Sequence, residues 1–184
     1  MLVIMNSNKT KYFCFFVLVM LQTACSKDDP APQNPVTSEN SWKLDTYNYS
    51  RRTSTQTSTT FTNGDPFTIV YTDSNIATAN NPFTNCSLIM TFNTSTTGEY
   101  VIKSQTTTLS DTKLKYMHVK CIVLSGAGTA AWYESTDGNL KASVTQVDGK
   151  YVVTIPTGTE LTRTYNDGLT QAPNNFVLLA DRVR

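Results

Sequence analysis

One histidine stands in 184 residues, charged side chains make up only 16 % of them, and 15 Lys and Arg nearly cancel 14 Asp and Glu. These scarcities exclude several functions. A zinc centre has no second imidazole to draw on, and a grip on nucleic acid needs a basic field that a balanced chain does not supply. The segment Leu124-Ser125-Gly126-Ala127-Gly128 has no glycine two places before its serine, so it reads as a turn and not as a hydrolase nucleophile elbow. Glutamates are few, namely Glu39, Glu99, Glu134 and Glu160. Nothing in their spacing selects an acid–base pair, although Glu134, beside Trp132 and Tyr133, is the best placed acid. Asn63-Gly64-Asp65, Asp137-Gly138-Asn139 and Asn166-Asp167-Gly168 carry oxygen ligands without the spacing of an EF-hand loop, and are what tight turns require. The expectation is a protein that is not an enzyme and uses no cofactor and no metal.

Long apolar runs are equally scarce, and the one present lies near the start. Lys9 and Lys11 precede an apolar stretch from Tyr12 to Leu21, too short to cross a bilayer comfortably, with small residues Thr23-Ala24 before Cys25. This reads as an export signal of residues 1–24, with Met1 or Met5 as its start. The pattern Leu21-Gln22-Thr23-Ala24-Cys25 resembles the lipobox of bacterial lipoproteins, with Gln22 where that family usually has leucine. Ser26-Lys27-Asp28-Asp29 resembles the surface-export tag of Bacteroidetes-type lipoproteins. The resemblance implies acylation of Cys25 and a protein anchored by lipid to the outer membrane, at the cell surface. Pro30, Pro32 and Pro35 make residues 25–38 an extended tether, and residues 39–184 form one domain. Without Lys9 and Lys11 the balance is 13 basic against 14 acidic residues, so the membrane is reached through lipid and not through a basic surface.

Glycine is uncommon, and all eight glycines fall between apolar stretches, as punctuation of β-hairpins. No window holds a 3.6-residue period, whereas alternation recurs. Ten strands are expected, at residues 42–50, 67–72, 86–92, 100–104, 114–124, 129–134, 140–147, 151–155, 160–164 and 176–182. The surest unit is the hairpin of Leu140 to Ile155, in which Asp148-Gly149 supplies a two-residue type I′ turn and Val144 faces Val153. Thr53, Thr55, Thr57 and Thr59 share one side of a polar stretch that reads as a solvated edge strand.

Two cysteines remain in the exported domain, Cys86 and Cys121. Cys86, Leu88, Met90 and Phe92 share one side of their strand, and Met117, Val119, Cys121 and Val123 one side of theirs. Both sulfurs are therefore expected in the core, and an oxidising compartment favours a disulfide between them. His118 has the opposite parity to Cys121 and is expected to face solvent.

Spacing of the turns points to an all-β fold, a single β-sandwich of about eight to ten antiparallel strands. Ser41-Trp42-Lys43-Leu44-Asp45-Thr46-Tyr47, Gly98-Glu99-Tyr100-Val101-Ile102, Tyr133 to Leu140, and Asp148 to Ile155 resemble a group of β-sandwich lipoproteins of the same bacteria, which carry no activity to transfer. The early Trp-Lys-Leu is also similar to the first strand of lipocalin-like lipoproteins, which implies the alternative of a β-barrel carrying a small apolar ligand. Trp42 and Trp132 suit a core of this size. Alternatively Trp132 and Tyr133, helped by Tyr47, Tyr49 or Tyr165, offer rings on which a sugar stacks. The functional expectation is a surface lipoprotein that binds glycan or protein, or lends structure to the envelope.

Overall fold

A computed structural model describes residues 39–60, 66–75 and 81–184. The signal segment, the tether, Cys25 and the Asn63-Gly64-Asp65 turn lie outside these residues. The domain is all-β, with ten strands in one sheet: β1 (Ser41–Leu44), β2 (Tyr47–Thr60), β3 (Pro66–Ser74), β4 (Asn85–Phe92), β5 (Gly98–Ile102), β6 (Tyr116–Leu124), β7 (Ala130–Ser135), β8 (Lys141–Val147), β9 (Lys150–Asp167) and β10 (Asn175–Val183). One helix is described, α1 (Gln105–Ser110), and it is too short to cross a membrane.

Strand order is β10-β1-β2-β3-β4-β6-β5-β8-β9-β7, and two further pairings, β9 with β10 and β6 with β7, close the circuit. Along the gap between β6 and β9, β7 fills one stretch and the β5–β8 pair fills another, because β9 pairs with β8 near its start and with β7 near its end. All strands send one side to a common interior. Trp42, Tyr100, Tyr133, Phe92 and Phe176 are among the largest side chains wholly buried there, so the space within the circuit is filled by rings and aliphatic chains.

Local rules explain the hairpins. Asp148 and Gly149 have φ of 51° and 74°, as a type I′ turn demands, and Val144 does face Val153. The expected strand at 42–50 is instead a hairpin. Asp45 takes φ of 49°, which aspartate tolerates, and Leu44 faces Tyr47 across a two-residue turn. Val177 holds that turn from outside, its amide donating to Asp45 Oδ1 at 2.8 Å and its carbonyl accepting from the Asp45 amide at 2.9 Å. The strands expected at 151–155 and 160–164 are one strand, β9, which bends at Gly158 (φ 88°).

One strand pairing departs from the expected antiparallel pattern. β5 and β6 pair in parallel, and parallel neighbours need a crossover instead of a hairpin. Residues 103–115 supply it and contain α1. Its sequence, Gln-Thr-Thr-Thr-Leu-Ser, is a poor helix former, so its start depends on capping: Ser104 Oγ accepts from the Thr107 amide at 3.3 Å, while Asp137 accepts from the Ser104 amide at 2.9 Å and the Thr107 hydroxyl at 3.0 Å. Those bonds, the one from the Ser104 amide first, lower the pKa of Asp137.

β2 pairs with β1 as far as Ser50, and the Arg51 amide still donates to the Asn40 carbonyl at 2.9 Å; beyond that its ladder runs to β3 alone. Thr53, Thr55, Thr57 and Thr59 are exposed, as a solvated edge requires. Gln56 closes part of that edge with its side chain, donating from Nε2 to the Tyr151 carbonyl and accepting at Oε1 from the Tyr151 amide, both at 2.7 Å. The amide group thereby acts as one extra rung between β2 and β9.

Candidate functional site

Cys86 and Cys121 face the core, but they are free thiols and not a disulfide. Register explains it. Leu88 is opposite Cys121 and Cys86 opposite Val123, so the two cysteines are diagonal neighbours on adjacent strands, a separation of about 7–8 Å, beyond the roughly 4.4–6.8 Å between Cα atoms that a bridge usually spans. Cys86 Sγ accepts from Trp42 Nε1 at 3.2 Å. Burial first, then the neighbouring Cys86, pushes the Cys121 thiol well up.

Trp132 and Tyr133 part company by strand alternation. Tyr133 points inward, is 0 % exposed, and donates its hydroxyl to the Pro173 carbonyl at 2.8 Å; burial raises its pKa to about 12. It is therefore no stacking surface. Trp132 is not core: it points outward and is 37 % exposed, beside Tyr165 at 46 %. Their ring centroids lie 4.7 Å apart with planes at 41°.

Tyr165 arrives there through a β-bulge. Leu161 and Arg163 have the parity of the inner face, opposite Ser135 and Tyr133, and strict alternation would send Tyr165 inward too. The ladder slips between Trp132 and Tyr133, so that Tyr165 faces Trp132 while Arg163 faces Tyr133. Thr164 is the extra residue, and re-aiming a side chain is what a bulge does.

A charged group borders the rings. Lys120 Nζ lies 4.0 Å from the centre of the Trp132 ring and 3.0 Å from Glu134 Oε1; the Thr164 hydroxyl donates to the same oxygen at 3.3 Å. The Glu134 pKa is lowered: partial burial raises it, but Lys120, then His118 and Thr164, outweigh that. A carboxylate held ionised in this way is a poor general acid.

His118 stands on the outer side of β6, as its parity requires, yet it is only 3 % exposed. The expectation of a solvent-facing histidine fails; α1 packs on β6, and alternation along β6 cannot reveal what lies over its outer side. Its Nε2 lies 3.4 Å from Glu134 Oε2 without making a hydrogen bond. Burial lowers its pKa, opposed by Glu134.

The turn residues are occupied structurally. Asp137 caps α1, and Asn166 both accepts from the Leu169 amide at 2.8 Å and donates to its carbonyl at 3.2 Å. Among the described residues no group of three His, Cys, Asp or Glu could hold a metal. The Ser125 hydroxyl bonds Thr129 at 2.7 Å within its own turn.

The sequence offers Trp132 and Tyr165 among its candidate rings, and Glu134 beside Trp132, but not Lys120. Their assembly with Lys120 depends on β6–β7 and β7–β9 pairing and on the bulge, none of which leaves a local signal. No family model, no curated protein and no solved structure matches this chain.

Proposed function

We propose that this chain is a non-catalytic lipoprotein, anchored at the outer membrane through Cys25 and facing the cell exterior, whose β-domain binds a glycan on the Trp132–Tyr165 surface. The observation that carries this is the pair of outward rings bordered by an ion pair. Pyranose rings present C–H faces that lie against aromatic rings, while their hydroxyls seek fixed donors and acceptors. Lys120, Glu134 and Thr164 are such groups, already held in place by one another.

The test is affinity electrophoresis of the mature chain through gels containing a panel of neutral polysaccharides. Retardation by at least one of them is expected. Replacing an anchoring ring costs about 2 kcal/mol, so Trp132→Ala and Tyr165→Ala should each weaken binding by roughly 30-fold. Retardation by none of the polysaccharides, or retardation unchanged in both variants, would overturn the glycan reading. The anchor is tested apart from it: radiolabelled palmitate should enter the wild-type chain and not Cys25→Ser. The closed circuit of strands is a feature a lipocalin-like carrier shares, but the aromatic filling of the interior weighs against that alternative, and an environment-sensitive apolar dye should find no saturable site.

A further inference from the structure

A second feature lies away from the aromatic surface, where the start of β2 meets the β8–β9 turn. Arg51, Arg52, Ser54, Gln56, Gly149, Lys150 and Arg184 line a hollow of about 470 Å³, within the size range of small-molecule sites. Four of these side chains are cationic, and none of the lining residues is acidic. Among the described residues, the side-chain carboxylate that pairs with them is Asp73, 3.3 Å from Arg52, so the cations that line the hollow outnumber the side-chain carboxylates paired with them. Glu39 and Asp148 line a neighbouring hollow, where Glu39 is held 3.0 Å from Arg182.

The frame of the hollow is fixed, and Arg51 is the cationic side chain that takes part in it. The Gln56 amide locks β2 to Tyr151 through two bonds of 2.7 Å, and Arg51 Nη1 donates to the main-chain oxygen of Arg184 at 2.7 Å. Gly149 has φ of 74° and open space where a Cβ would stand, so the turn presents bare backbone to the hollow. Arginine's planar fork pairs with both oxygens of an oxyanion, and lysine adds a point charge. Like charges held around a concave site repel unless an anion enters.

We propose that this hollow binds an oxyanion, a phosphate, sulfate or carboxylate carried on a small polar molecule, with Arg52, Lys150 and Arg184 as its principal partners. The inference does not rest on the glycan reading. The mature chain, labelled with ¹⁵N, is titrated at low salt with inorganic phosphate, inorganic sulfate, galacturonate and glucose 6-phosphate, with glucose as the neutral control. Saturable shifts are expected for at least one anion and confined to the amides of residues 51–56 and 148–151 and of Arg184, with affinity falling several-fold between 20 and 200 mM salt. Inorganic ions alone would identify the free oxyanion as ligand; tighter binding of galacturonate or glucose 6-phosphate would identify the carrier molecule. The double variant Lys150→Gln/Arg184→Gln should weaken binding at least tenfold, and Lys150→Arg/Arg184→Lys should preserve it. Tyr165→Ala should leave it unchanged, which separates failure here from failure of the aromatic surface. Absence of saturation for every anion, shifts scattered over the surface, or equal binding by wild type and the double Gln variant would overturn the proposal.

Discussion

Replacing Phe176 by alanine tests the filled interior most directly. Phe176 is 1 % exposed and meets three other rings: Tyr133 at 4.5 Å, Phe83 at 5.5 Å and Tyr47 at 6.3 Å between centroids. Phe83 and Tyr47 also meet each other, 5.1 Å apart and perpendicular, so the cluster cannot collapse into the gap without losing its own edge-to-face contacts. Truncation of a buried phenylalanine costs roughly 3–5 kcal/mol. With three ring partners lost together we expect about 4 kcal/mol, which at about 2–4 °C per kcal/mol for a domain of this size lowers Tm by about 8–16 °C. Phe176→Leu keeps most of the volume and forfeits only the ring geometry, for about 1–1.5 kcal/mol. The neighbouring Val177 has the opposite parity and is 42 % exposed, so Val177→Ala should stay within about 0.5 kcal/mol. Urea unfolding followed by Trp fluorescence measures all three. A loss below about 1.5 kcal/mol for Phe176→Ala would refute the reasoning, since it means the ring borders empty or water-filled space and the interior is hollow.

Three further outcomes are expected. Because burial holds the single histidine below its ordinary pKa, the unfolded chain takes up a proton that the folded chain refuses as pH falls through about 6.5. Stability should therefore drop between pH 7 and 5.5 with a slope of at most about 1.4 kcal/mol per pH unit. Glu134, whose folded pKa is lowered, adds a separate loss below about pH 4.5; His118→Gln should flatten the upper window only, and an unchanged slope would show that another group titrates there. Cys86 and Cys121, both 0 % exposed, should resist iodoacetamide in the native protein and both react after unfolding without reductant, as mass measurement would show; protection after unfolding would restore the disulfide. Gln56→Leu removes both bonds to the Tyr151 backbone and should cost about 1–3 kcal/mol and increase hydrogen exchange at the Tyr151 amide, whereas exchange as slow as wild type would mean that the side-chain rung contributes nothing.

Much of this protein follows from local rules applied to its residues. Alternation in Cys86, Leu88, Met90 and Phe92, and in Met117, Val119, Cys121 and Val123, identified inward sides that the fold keeps wholly buried, because side-chain direction in a strand depends only on parity. Asp148-Gly149 specified its turn because backbone handedness is a property of the two residues themselves. The Asp45 turn was harder to see, since aspartate enters the left-handed region only where its surroundings, here Val177, support it.

What parity cannot state is which strands become neighbours, and the sites depend on that. The cysteines face inward as expected but stand two residues out of register. His118 faces outward as expected but is buried there, on the strand against which the β5–β6 crossover packs its helix. Tyr165 owes its direction to one extra residue in β9, and the hollow of Arg51, Arg52, Lys150 and Arg184 gathers charges from three distant stretches of chain. The sequence by itself determined the all-β class of the fold and the inward faces of β4, β6 and the β8–β9 hairpin; only tertiary structure decided the register, the burial of His118 and the sites. The physical reason is that direction along a strand is a local property, whereas pairing is settled by competition among all strands for a place around one core.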